Sequence, residues 1–104
     1  SEKAKPKAAR AQLENIRNAL DMFQLDVGRY PTTEEGIAAL RQRPSSAPRW
    51  SGPYLRDELP QDPWGRPYVY RSPGEGGGNY DIQSYGADGR SGGDGNNADV
   101  SLSG

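Results

Sequence analysis

A chain of 104 residues fits one small domain, and with only 32% hydrophobic residues against 14 Gly and 9 Pro it can bury only a thin core. It has no Cys, so a disulfide cannot be the staple that small domains often need, and a bound metal or self-association is the next candidate. The formal net charge of -1 gives no global basic field of the kind that draws nucleic acid.

Residues 8–27 read as one amphipathic helix. Ala9, Leu13, Ile16, Leu20, Phe23 and Val27 recur at alternating spacings of four and three, which places them on one face. The stripe is narrow enough to cover a sheet or to serve as a coiled-coil seam. Gly28 suits a left-handed cap at the end of this helix, and Pro31 prevents its restart. Pro6 is tolerated only in a first turn, so the helix either begins near Pro6 or continues from upstream sequence. Residues 28–65 read as a helix-to-sheet region. Within it Thr32-Thr33-Glu34-Glu35 resembles a helix start, with a Thr cap and acids in the first turn, and a short helix is expected near 33–42, ended by Pro44.

Residues 44–67 are punctuated by six prolines yet carry Trp50, Tyr54, Leu55, Leu59 and Trp64, which a free linker would not. A loop packed down on the domain is expected. Residues 66–85 read as a β-hairpin: Tyr68-Val69-Tyr70 lies in one strand, Tyr80, Ile82 and Ser84 alternate in the other, and Ser72–Gly78 forms the loop between. Val100-Ser101-Leu102 is too short to assign.

Catalysis has no visible apparatus. The chain has no His or Cys, no nucleophile elbow and no phosphate-binding loop. Glu34-Glu35 as a catalytic pair is outweighed by the helix-start reading of the same two acids. Charge is placed unevenly: residues 1–17 carry Lys3, Lys5, Lys7, Arg10 and Arg17 against Glu2 and Glu14, whereas residues 81–99 carry Asp81, Asp88, Asp94 and Asp99 against Arg90. That asymmetry suits a molecule that meets copies of itself, and it is also the pattern of ordinary solvated charge.

The strongest chemical feature is residues 84–99, where carboxylates, amides and freely turning Gly backbone supply many oxygens in a short span. Calcium takes roughly 6–8 oxygens with tolerant geometry, whereas zinc wants His or Cys. Asp88 and Asp99 fit the first and last positions of an EF-hand loop, but Arg90 and Gly92 break its pattern and a strand stands where its first helix should be. On the residues alone, a calcium loop and a disordered Gly-rich tail both remain open.

The order of segments is distinctive. Residues 19–40, from Ala19-Leu20-Asp21-Met22-Phe23 through Gly28-Arg29-Tyr30-Pro31-Thr32-Thr33-Glu34-Glu35-Gly36, resemble the helix exit of the major pseudopilins of type II secretion systems, the general secretion pathway protein G family. Asp62-Pro63-Trp64-Gly65-Arg66-Pro67-Tyr68-Val69-Tyr70 is similar to that family's central motif. Ser84-Tyr85-Gly86-Ala87-Asp88-Gly89, Gly92-Gly93 and Asn96-Asn97-Ala98-Asp99-Val100 resemble its calcium loop.

The resemblance implies a single α+β, pilin-like domain over 1–104: a long N-terminal amphipathic helix on a small antiparallel sheet, closed by a calcium loop at 86–99. It implies Ca2+ held by the side chains of Asp88 and Asp99 and by the backbone carbonyls of Tyr85, Arg90 and Asn96, with Asn97 as the competing choice for the last. It implies a non-enzymatic subunit that polymerises into a helical filament. The partners implied are minor pseudopilins and an inner-membrane assembly platform, with a membrane anchor upstream of Ser1 and this domain in the periplasm. Two other readings share parts of the pattern. A type IV pilin-like minor subunit has the same helix-on-sheet plan, but usually with a disulfide that this chain cannot form. A soluble calcium- or carbohydrate-binding module would use Trp50, Trp64 and the tyrosines as its platform.

Overall fold

The structure is a computed structural model that describes residues 3–104. Among these residues the chain forms a helix α1 (Ala4–Val27), a 3-10 turn (Gly36–Leu40), strands β1 (Val69–Arg71) and β2 (Asp81–Ser84), a second 3-10 turn (Gly95–Asn97) and strand β3 (Val100–Ser103). The α+β, helix-on-sheet expectation holds.

Helix α1 starts at Ala4, four residues before the expected boundary, so Pro6 falls in its first turn, where its missing N–H has no intrahelical acceptor to lose. Its far end is as expected. Gly28 is left-handed at φ 92° and its N–H donates to the Gln24 carbonyl at 2.8 Å. The buried face is Ala9, Leu13, Ile16, Ala19, Leu20 and Phe23. Ala19 widens the stripe read from the sequence, and Val27 is only partly buried.

The helix covers one face of an antiparallel sheet of order β1-β2-β3. Tyr70 pairs with Ile82 and Ile82 with Leu102, so one row of side chains from all three strands shares a face, β2 and β3 meeting the helix and β1 the first 3-10 turn. Strand β3 is the element that its own sequence left unassigned. It pairs with β2 from Val100↔Ser84 to Ser103↔Asp81, and makes β2 the central strand. Strand β1 begins later than the hairpin expected from residue 66, because residues 62–66 form a turn and Gln61 pairs with Pro67 only as an isolated bridge.

The short helix expected near 33–42 is present as the 3-10 helix Gly36–Leu40, shorter than expected at its start. Thr32 and Glu35 do make reciprocal bonds: Glu35 N–H donates to Thr32 Oγ1 at 3.0 Å, and Thr32 N–H donates to Glu35 Oε1 at 2.9 Å. Gly36 then takes φ 62°, a left-handed step that an α-helix running on from Thr33 could not contain. The first helical turn therefore holds no acid. Glu35 instead receives two bonds from the Arg29 guanidinium, at 2.7 and 3.0 Å, and one from the Ser46 hydroxyl at 3.0 Å.

The proline-punctuated stretch packs onto the domain as expected. Trp50 Nε1–H donates to the Ala39 carbonyl at 2.7 Å, Tyr54 sits edge-on to both Phe23 and Trp50, and Leu55 is buried. No helix among the described residues is long and apolar enough to cross a membrane.

Candidate cation loop

Residues 86–99 connect β2 to β3, so the fold brings both ends of the Gly-rich segment to adjacent strands. The first turn packs against the second 3-10 turn: Ala87 N–H donates to the Asn96 carbonyl at 2.8 Å. This approach needs Gly86. It is left-handed at φ 78°, and a Cβ there would stand 2.7 Å from the Ala98 carbonyl oxygen and 2.8 Å from that of Asn96.

The five sequence-predicted ligand positions lie along this path. Tyr85 directly follows β2 and is half-buried. Asp88 is exposed, and its Oδ1 accepts the Arg90 N–H at 3.0 Å, which closes a small turn around the next predicted position. Asn96 sits in the 3-10 turn with its carbonyl turned to Ala87. That oxygen has a second lone pair. Asp99 immediately precedes β3, and its Oδ2 accepts the Gly92 N–H at 3.1 Å, drawing the middle of the loop onto its end. Asp94 is exposed, and its carbonyl accepts the Asn97 N–H at 2.9 Å.

The second oxygen of Asp99 decides what this arrangement can hold. Oδ1 is buried and accepts no hydrogen bond from the described residues. A carboxylate is acceptor-only, and a dry unpartnered polar group costs roughly 1–3 kcal/mol, more if charged. The demand at Oδ1 is for a hydrogen-bond donor or a cation. No three acidic side chains converge among the described residues, so a cation here would complete its shell with backbone carbonyls. Such a mixed oxygen set suits calcium and not zinc. The residues present thus fit the implied ion. An EF-hand does not fit, because strands rather than helices flank the loop.

Three residues of the surroundings lie in motifs quoted from the sequence, but the sequence assigned them no role at this loop. Asp62 and Ser84 are buried polar residues behind the loop, joined by a 2.7 Å bond from the Ser84 hydroxyl to Asp62 Oδ2. Arg66 reaches the loop from the turn that Asp62 begins, donating to the Gly86 carbonyl at 3.1 Å. The Asp-Pro-x-Gly signature at 62–65 marks a turn, since Asp readily bonds backbone two residues on. Its contact with residues 84–87 is long-range and leaves no local trace.

Comparison with known proteins gives one family. The model of the family described as "Type II secretion system (T2SS), protein G" matches residues 1–103. The type II secretion system core protein G of Pseudomonas aeruginosa is 41% identical over 102 residues, covering 95% of this chain and 71% of the relative. That of Aeromonas hydrophila is 47% identical over 97 residues, covering 89% and 66%. That of Vibrio cholerae is 44% identical over 102 residues, covering 95% and 68%. The chain therefore spans about two thirds of the length of these relatives. The crystal structure of the major pseudopilin from the type 2 secretion system of enterohaemorrhagic Escherichia coli superposes with a TM-score of 0.76 at 38% identity, over 95% of this chain and 86% of that one. With the family match running almost end to end and the helix-on-sheet fold shared, the chain belongs to the type II secretion system protein G family.

Proposed function

We infer that the protein is a structural subunit of a type II secretion pseudopilus, polymerising into a periplasmic filament that helps drive folded proteins across the outer membrane. The observation that carries this is the family match over 1–103 together with a pseudopilin fold at 38% identity. On this reading the work is mechanical. The subunit provides a rigid shape and complementary surfaces, and no bond in a substrate is made or broken. Its partners are further copies of itself, minor pseudopilins and the inner-membrane assembly platform. Its anchor is a membrane segment preceding Ser1, with the domain described here in the periplasm.

The reading includes a bound Ca2+ held by Asp88 and Asp99 through their carboxylates and by Tyr85, Arg90 and Asn96 through their carbonyls. Its support is the orphaned, buried Oδ1 of Asp99. Bound there, the ion supplies positive charge and many-fold oxygen coordination. The chain supplies the rest. Between Gly86 and Ala98 there are almost no apolar side chains to bury, and each glycine loses entropy when fixed. A ligand bound only by the folded state stabilises it by about 2.7 kcal/mol at 100 times Kd.

Two measurements test the two halves. The full-length gene should restore filaments and exoprotein release to a cell lacking its major pseudopilin, and failure to do so with normal expression would reject the filament role. Thermal melts of this chain in calcium and in chelator should differ by several degrees. Identical melts would reject the ion and leave the subunit role standing.

A further inference from the structure

A closed circuit of hydrogen bonds ties the turn at residues 62–66 to the first turn of the loop. Asp62 is 4% exposed, and its Oδ1 accepts the backbone N–H groups of Trp64 at 3.0 Å and Arg66 at 2.9 Å. Its Oδ2 accepts the Ser84 hydroxyl at 2.7 Å, and the Ser84 oxygen in turn accepts the Gly86 N–H at 3.1 Å. Arg66 closes the ring from the other side. Its guanidinium donates to the Gly86 carbonyl at 3.1 Å and to the Ala87 carbonyl at 3.3 Å. The same side chain lies across Gly89, where a Cβ would stand 2.6 Å from Arg66 Nε. The residue at 89 must be small for Arg66 to reach over the turn.

Two consequences follow for an ion in the loop. Carbonyls 86 and 87 accept from the Arg66 guanidinium, whose positive charge makes them poorer ligands for a metal. The ligand positions argued above pass over those same two residues, between Tyr85 and Asp88. The first turn of the loop also has few apolar contacts of its own, so its shape depends on what reaches it from outside. Groups that hold a ligand without touching the metal commonly set its affinity.

We propose that Asp62 and Arg66 are positioning residues for calcium. Asp62 orients Ser84 and the backbone of Arg66. Arg66 clamps carbonyls 86 and 87 outward, so that the remaining oxygens of the turn are presented to the ion. The proposal rests on the calcium reading above. It also makes a prediction that simple electrostatics contradicts. A guanidinium near a metal repels it, so loss of that charge alone would tighten binding. Loss of the clamp weakens it.

The test is calorimetric titration of calcium into the ion-stripped 104-residue chain and its Arg66→Gln, Arg66→Lys and Asp62→Asn variants, with thermal melts in chelator alongside. Arg66→Gln should weaken Kd by about 10–100-fold, the range usual for groups behind a metal ligand. Arg66→Lys, which keeps the charge and one donor to a carbonyl, should fall between that variant and the parent. Asp62→Asn should weaken binding as well. Because Asp62 is buried and that variant endangers folding, the exposed Arg66 carries the decision. Unchanged or tighter binding by Arg66→Gln overturns the proposal, including the case where its melting temperature falls equally in calcium and chelator, which marks a merely structural role. A parent that takes up no calcium overturns the calcium reading and this proposal with it. A parent that binds while the variants bind equally overturns the positioning role alone.

Discussion

Phe23 shows how much one side chain carries in a core this thin. It is fully buried, meets Tyr54 edge-on at 5.9 Å between centroids, and lies under the Arg29 guanidinium at the same distance. Truncation of a buried Phe to Ala typically costs about 3–5 kcal/mol. At about 4–8 °C per kcal/mol for a domain of this size, Phe23→Ala should lower the melting temperature by more than 10 °C. An unchanged melt would mean that the helix does not bury this face. Glu35 makes a different residue-scale prediction. The bonds from Arg29, helped by Thr32 and Ser46 and opposed by partial burial, hold its carboxyl at about 2, below the ordinary 4.5. A depressed acid stabilises the folded state above its unfolded pKa, and that contribution disappears as pH falls through the folded pKa. Stability should therefore decline between pH 4.5 and about 2 in the parent, and more shallowly in Glu35→Gln. Parallel acid melts of the two proteins would remove Glu35 from the account.

At the scale of elements, the loop 86–99 differs from the helix and the strands in what can order it. Helix α1 and the sheet exchange buried apolar area, whereas the loop offers oxygens and glycines. Asp88→Ala and Asp99→Ala should each reproduce the ion-free state even in saturating calcium, with a lowered melting temperature and faster proteolysis within 86–99. Asp94→Ala should be milder, since Asp94 is not one of the predicted ligands. Equal behaviour of all three variants would mean that the acids act only through general charge. The helix exit is the second decisive element. Tyr30 OH donates to Asp21 at 3.0 Å, Tyr70 OH donates to the Pro31 carbonyl at 2.7 Å, and Glu35 gathers Arg29 and Ser46, so the chain after Gly28 is fastened to helix and sheet together.

On the scale of the whole molecule, the long axis of 42 Å follows the helix, since 24 residues of α-helix span about 36 Å. Its first turn buries nothing. The inward face begins at Ala9, while Lys3, Lys5, Lys7 and Arg10 are exposed at that end. Reversing Lys7 and Arg10 to Glu should leave the isolated domain as stable as the parent, because neither side chain packs on the core. In the full-length protein the same change should impair filament formation if the basic end meets acidic surface on a second copy. Normal filaments from that variant would return those charges to ordinary solvation.

What the sequence determined by itself was local. The four-three spacing from Ala9 to Phe23 set the buried face of α1, because helical period and residue type are both written in consecutive positions. Gly28 set the helix end for the same reason. The motifs at 19–40, 62–70 and 84–100 were specific enough to indicate the family and its fold. The tertiary structure decided what depends on partners distant along the chain. Val100–Ser103 carries only two apolar residues and becomes a strand because β2 supplies its hydrogen bonds. Glu35 keeps its bonds to Thr32, but Gly36 turns the chain left-handed and Arg29 and Ser46 gather on the same carboxylate, so the expected helix is only a short 3-10 one. The candidate cation loop was legible as a supply of oxygens. Only the folded chain showed that Asp99 keeps one buried oxygen without a donor and that Asp62 and Arg66 brace the turn from behind, since desolvation and long-range hydrogen bonds exist only once the chain has closed on itself.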